Sequence, residues 1–189
     1  MAHILPPSIA HPRITEEAMD KGLEFLQSQV NNAVAQHKML LESLEDHERE
    51  AEDLRFRDLC SRHLPNMRSH QRMLEEYQAQ LGAREGAGKK AVGALLGGLK
   101  DLADVARGDD FLRLVQDIVM ARQAEDTAKT FREAGTTLGN EQLARIGEVT
   151  ERHHDEFVHD ANRLVQQMFV ERVRGERPAE TRVEYEARP

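Results

Sequence analysis

The stretch EVTERHHDEFVHDANRL, residues 148–164, places three histidines within seven residues and flanks them with carboxylates. Imidazole and carboxylate together form the ligand set that suits Zn, Fe or Mn. Within the stretch, Glu151-x-x-His154 has the i, i+3 spacing that puts two side chains on one face of a helix. The same residues also suit a seam of core histidines satisfied by carboxylates or water, or a solvated helix face. Only one of the adjacent His153 and His154 can face directly inward, and His159 is expected to point outward. The His-Glu-x-x-His arrangement of zinc proteases is absent, as are a phosphate-cradling glycine loop and a serine elbow.

The elements that must carry these residues read as helices. Thr15 followed by Glu16 and Glu17 is a helix start: a capping hydroxyl, then acids at the positive end of the dipole. From there Leu23, Leu26, Val30, Ala33, His37, Leu40, Leu44 and His47 recur at alternating spacings of 3 and 4, as one helical stripe does. A charged run, SLEDHEREAED, ends the first helix near residue 50. A second stripe carries Phe56, Leu59, His63, Met67, His70, Leu74, Tyr77 and Leu81, with Gly82 closing the helix and Pro65 predicting a kink or restart inside it. The third runs through Phe111, Leu114, Ile118, Ala121, Glu125, Ala128 and Phe131. After a turn in AGTTLGNEQ, the fourth carries Leu143, Ile146, Thr150, His153 or His154, Phe157, Ala161, Leu164 and Met168.

Residues 1–14 hold three of the six prolines and read as an extended arm. Residues 15–173 form the bundle, and residues 174–189 are a polar tail without a stripe. Four amphipathic helices with almost no strand signal define an all-α, four-helix bundle. The glycine-rich stretch between the second and third helices keeps helical spacing at Val92, Leu95, Leu96, Leu99 and Leu102, which predicts a short helix inside a long crossover. Connections that run short, long, short are those of a ferritin-like bundle.

Several stripe positions are histidine or glutamate. With turns centred near residues 50 and 138, His37, His63, Glu125 and Glu151 each lie 13 residues from their turn, and His154 lies one helical turn beyond. At ~1.5 Å per residue, equal counts mean equal heights if both turns sit at one end of the bundle. On that premise His37, His63, Glu125 and Glu151/His154 share a layer able to hold Fe, Mn or Zn, or no metal at all.

The frame RHLPNMRSHQRMLEEYQAQLG, residues 62–82, resembles the second bundle helix of the stress-associated ferritin-like proteins of the YciF type. The stretch GGLKDLADVARGDDFLRLVQDIVMARQAEDTAKTFREAGTTLGNEQLARI is similar to that family's crossover, third helix and turn. The likeness spans most of residues 25–170. It implies a ferritin-like bundle, a homodimer, a bacterial cytoplasmic setting and a link to stress. Carried over from the superfamily's di-metal pattern, Glu125, Glu151, His154 and His70 match. The helix-one carboxylate falls at Gln36 or His37, and Met67 stands where the glutamate partner of His70 would be. The resemblance therefore implies a degenerate site with one metal or an altered set, drawn from His37, His63, His70, Glu125, Glu151 and His154.

Composition narrows the remaining choices. A net charge of −8 with interleaved signs opposes nucleic-acid binding. No apolar run approaches the ~18 residues of a membrane span, and the N-terminus lacks a signal peptide's pattern, so a cytoplasmic location is expected. The lone Cys60 forms no internal disulfide and reads as a packed thiol rather than a nucleophile. Three functions fit: a metal-binding bundle, a non-enzymatic interaction bundle without metal, and a bundle loosened when buried histidines charge near pH 6. None of them names a reaction.

Overall fold

The computed structural model describes residues 16–82 and 108–175. The expected N-terminal arm, Thr15, the crossover helix and the tail from residue 176 onward lie outside the described residues. The described residues form four helices: α1 (Glu16–Glu50), α2 (Leu54–Gln80), α3 (Asp110–Leu138) and α4 (Glu141–Arg174). Among them there is no strand, and no helix is long and apolar enough to cross a membrane.

Local chemistry sets the ends. Asp53 caps α2 by accepting from the Arg55 N–H, and Asp109 caps α3 by accepting from the Phe111 and Leu112 N–H groups. Between α3 and α4 only Gly139 and Asn140 intervene. Gly139 takes the left-handed conformation, φ 65°, that ends α3, and Asn140 at once caps α4 through the Leu143 N–H. The turn expected across AGTTLGNEQ is thus shorter, because Ala134 to Leu138 stay helical. Pro65 does not restart α2, which runs unbroken through it. Proline leaves the Ser61 carbonyl without its helical donor, and both residues are exposed, so water can satisfy it.

Hydrogen bonds between helices fix the topology. Gln27 donates to the Leu81 carbonyl and Gln78 to Asn31, so α1 and α2 are antiparallel. Ser43 and His47 meet Asp117 while Gln36 meets Thr127, which makes α1 and α3 antiparallel. Arg55 meets Glu171 and His63 meets Asp160, which does the same for α2 and α4. Hence α2 and α3 run in the same direction across the bundle diagonal. The Asp53 N–H donates to Asp110 at one end, and Asn140 donates to the Tyr77 hydroxyl at the other. The two hairpin turns therefore sit at opposite ends, not at one end, which removes the equal heights expected for His37, His63, Glu125 and Glu151. Because α2 ends at one end of the bundle and α3 begins at the other, the second hairpin is reversed relative to the first.

The apolar stripes pack into two clusters rather than one. Leu40, Leu44, Phe56, Leu59, Leu64, Met67, Leu114 and Phe157 belong to the cluster at the α1–α2 turn. Val30, Ala33, Leu74, Tyr77, Phe131, Leu143 and Ile146 form the second, toward the α3–α4 turn. His37 falls between Ala33 and Leu40, His70 between Met67 and Leu74, and His154 between Ile146 and Phe157. A polar layer divides the core at mid-height.

Helices α3 and α4 bring their backbones close together at Gly135 and Gly147. A Cβ on Gly147 would lie 2.3 Å from the Arg132 nitrogen and 2.5 Å from the Ala128 carbonyl oxygen. Alanine ordinarily favours a helix over glycine by about 1 kcal/mol, but here the obstacles are backbone atoms that cannot rotate away. Gly147→Ala is expected to lose about 1–3 kcal/mol. Gly22→Ala, with nothing within 4 Å of its Cβ, should be neutral or gain up to about 1 kcal/mol. Urea midpoints of the two variants check the contrast, and equal midpoints would contradict this packing.

Candidate metal centre

α1, α2 and α4 each deliver one histidine to the dividing layer. His37, His70 and His154 are all buried, and one ring nitrogen from each lies within 4.8 Å of the others. The His37 ring packs edge-on against the other two, with centroids 5.7 Å from His70 and 5.2 Å from His154, and His70 stacks on His154 at 5.4 Å.

Neighbours that can only accept assign the tautomers of His37 and His154. Gln71 donates through Nε2 to Glu75 at 2.7 Å, which turns its carbonyl oxygen to His37 and makes His37 Nδ1 the donor at 3.1 Å. His154 Nδ1 lies 2.7 Å from the Thr150 carbonyl, which can only accept, so that nitrogen also carries the proton. His70 Nε2 lies 2.8 Å from His153 Nδ1. If His70 donates there, all three rings keep one bare nitrogen: His37 Nε2, His70 Nδ1 and His154 Nε2. Each of those atoms is buried without a hydrogen-bond partner. This is the form in which histidine ligates, with the second nitrogen held by an outer partner.

Burial keeps the rings neutral. Desolvation, reinforced by His154, lowers the His37 pKa from 6.5 to about 3. Desolvation first, then the neighbouring His154, His37 and His153, lowers His70 to about 2. Desolvation outweighs the Thr150 hydrogen bond and the nearby Glu125 charge, lowering His154 to about 4. Three neutral imidazoles are competent ligands at neutral pH without losing a proton. A tetrahedral nitrogen site with bonds of ~2.0–2.1 Å has edges of roughly 3.4 Å, so small ring rotations close the present spacing. The three buried histidines could hold a metal ion.

The other expected ligands lie elsewhere. His63 sits two helical turns from His70, bonded to Asp160 at 3.2 Å and edge-on to Phe157. Glu125 is buried near His154, but Arg122 holds one of its oxygens at 2.6 Å and Lys129 the other at 2.7 Å. Despite its burial, those cations keep the Glu125 carboxyl below its usual range. Glu151 pairs with Arg132. Bound in this way, both carboxylates are spoken for by cations. The layer differs because pairs such as His37–Gln71 and Asn31–Gln78 centre the first hairpin near residue 54, not 50. That displacement moves the partner of His37 from His63 to the level of His70 and Gln71. His154 joins them because it, too, stands near mid-height.

Sequence reasoning missed Gln71 and His153 as the groups that orient the ligands. Gln71 carries no ligand-like signal, and His153 reads as a boundary residue beside its inward neighbour. Cys60 is fully buried, and desolvation with nearby Asp117 pushes its thiol pKa far up, as a packed, inert cysteine requires. No family model matches the chain, and no curated protein or solved structure was found similar to it.

Depressed histidine pKa values fix a pH dependence. Protonation favours the unfolded chain, where histidine titrates near 6.5. Stability is therefore full above pH 6.5 and falls as pH drops toward the folded-state values. Each of the three costs at most roughly 1.4 kcal/mol per pH unit. Chelator-treated protein should lose several kcal/mol between about pH 6.5 and 5, before most carboxylates titrate. Urea melts across that interval measure the loss, and a flat profile would contradict neutral burial of the triad.

Proposed function

We propose that this chain is a ferritin-like four-helix bundle that binds a single divalent transition-metal ion through His37, His70 and His154. The observation that carries the reading is the set of three buried, neutral imidazoles, each with one unpartnered nitrogen, gathered from three helices. Buried polar atoms without partners are costly, roughly 1–3 kcal/mol each, and a shared cation would satisfy all three at once. Parallel α2 and α3 joined by a long connection support the ferritin-like part of the reading, as does the YciF-type frame of residues 62–82. An all-imidazole set suits Zn or Fe better than Mn. The cytoplasmic stress role and homodimer implied by the resemblance belong to the same proposal.

A metal-free interaction bundle is the alternative. It is favoured by Met19, Leu23 and Phe25, which stand exposed where the start of α1 extends past the end of α2. Elemental analysis of protein purified without a histidine tag separates the two. The metal-binding reading expects close to one equivalent of Zn or Fe, lost in His37→Ala, His70→Ala and His154→Ala. It also expects a melting temperature that falls when a chelator is added. Glu125→Gln and Glu151→Gln should retain the metal, because both carboxylates are engaged by cations. Metal-free protein whose melting is indifferent to added Zn and Fe would sink the reading.

A further inference from the structure

Three ligands leave a four-coordinate ion with one open position, and the packing around the triad offers something to fill it. A cavity of about 10 Å³ abuts the layer on the His37 side, His37 being the one histidine of the triad in its wall, together with Thr150, Gln36, Ala124, Ala128 and Phe131. That is room for about one water molecule. It exists because α3, the one helix that sends no histidine into the layer, faces it with the small Ala124 and Ala128.

Thr150 is the unusual residue there. Thr127, Thr130 and Thr136 each donate their hydroxyl to the carbonyl four residues earlier, the common habit of threonine in a helix. Thr150 does not. Its hydroxyl is buried with no partner, beside His37 in the cavity wall, while its carbonyl accepts from His154 Nδ1. Toward the bundle surface the half-buried Gln36 and Thr127 line the cavity, with the Gln36 side-chain oxygen 3.3 Å from the Thr127 hydroxyl, whose proton is shared with the Gln123 carbonyl at 3.0 Å.

We infer that the fourth position of the centre is an exchangeable site for a ligand of one or two heavy atoms, received in this cavity and hydrogen-bonded by the Thr150 hydroxyl. The class includes water or hydroxide, nitric oxide and hydroperoxide, and the cavity's size excludes bulkier anions. This rests on the metal-binding reading, and the two can fail separately.

The probe is nitric oxide added to protein loaded anaerobically with Fe(II). Iron content is measured by elemental analysis, and the nitrosyl by electron paramagnetic resonance and visible absorption. The wild type should bind one nitric oxide per iron. Thr150→Val should keep its iron and weaken nitric oxide binding about two- to tenfold, as loss of one hydrogen bond implies, and Thr150→Ser should restore it. Ala128→Leu and the milder Ala124→Val fill the cavity. They should keep iron while losing nitric oxide affinity by more than about tenfold. If Ala128→Leu fails to fold by circular dichroism, the other two positions decide. Wild-type protein that holds iron but no nitric oxide overturns the inference alone, as do filled variants that bind it unchanged. A chain that takes up no iron overturns the centre itself, and this inference with it.

Discussion

Three imidazole nitrogens gathered in one buried layer are the constraint around which the rest of this bundle is arranged. Imidazoles in water have partners for both nitrogens; here His37, His70 and His154 each leave one unsatisfied. At roughly 1–3 kcal/mol apiece the combined penalty approaches the 5–15 kcal/mol that typically separates a folded domain from its unfolded chain. The two apolar clusters on either side must offset it. A cation accepting all three lone pairs would turn the same layer from a liability into the strongest contact in the core.

The surroundings hold the rings in the one arrangement that keeps those lone pairs together. Glu75 orients the Gln71 amide, and Gln71 orients His37. The Thr150 carbonyl orients His154, and half-buried His153 reaches in to His70. The Gln71 and Thr150 oxygens can only accept, so the inner nitrogens of His37 and His154 are bare, and that of His70 is bare when His70 donates to His153. Desolvation then keeps the rings uncharged, which removes the mutual repulsion that three cations at this spacing would suffer.

Rigid ends maintain the height at which the histidines meet. Arg55 bridges Asp53 and Glu171, tying the start of α2 to the end of α4. Arg172 pairs with Asp109 and lies over the Phe111 ring. At the opposite end Asn140 caps α4 while donating to Tyr77. A slip of one turn along any helix would carry its histidine ~5.4 Å from the others and bury an isolated imidazole among aliphatics. Between the triad and Asp117, which burial raises in pKa while Ser43 and His47 hold its two oxygens, the bundle concentrates its buried polar groups where α1 meets its neighbours.

By itself the sequence determined the four helices and most of their inward faces, although Leu23 of the first stripe is exposed and Asn31, Gln71 and Asp117 are buried without having been read as inward. A period of 3.6 is a local property, so the stripes of α2 and α4 could be read almost residue by residue, and His37, His70 and His154 with them. The stretch AGTTLGNEQ announced a turn, and the structure narrowed it to Gly139 and Asn140. Only the tertiary structure decided which of the six candidate ligands meet. That depends on the relative height of the helices, set by end contacts such as Asp53–Asp110 and Asn140–Tyr77 between residues far apart in the chain. It also depends on the second hairpin turn lying at the opposite end from the first, which those same end contacts fix. Glu125 and Glu151 stand on the correct faces, but the cations that claim them, Arg122, Lys129 and Arg132, compete in three dimensions for the same oxygens. Thr150 is the sharpest case: its sequence marks a helical threonine, and only the tertiary structure shows its hydroxyl buried without a partner.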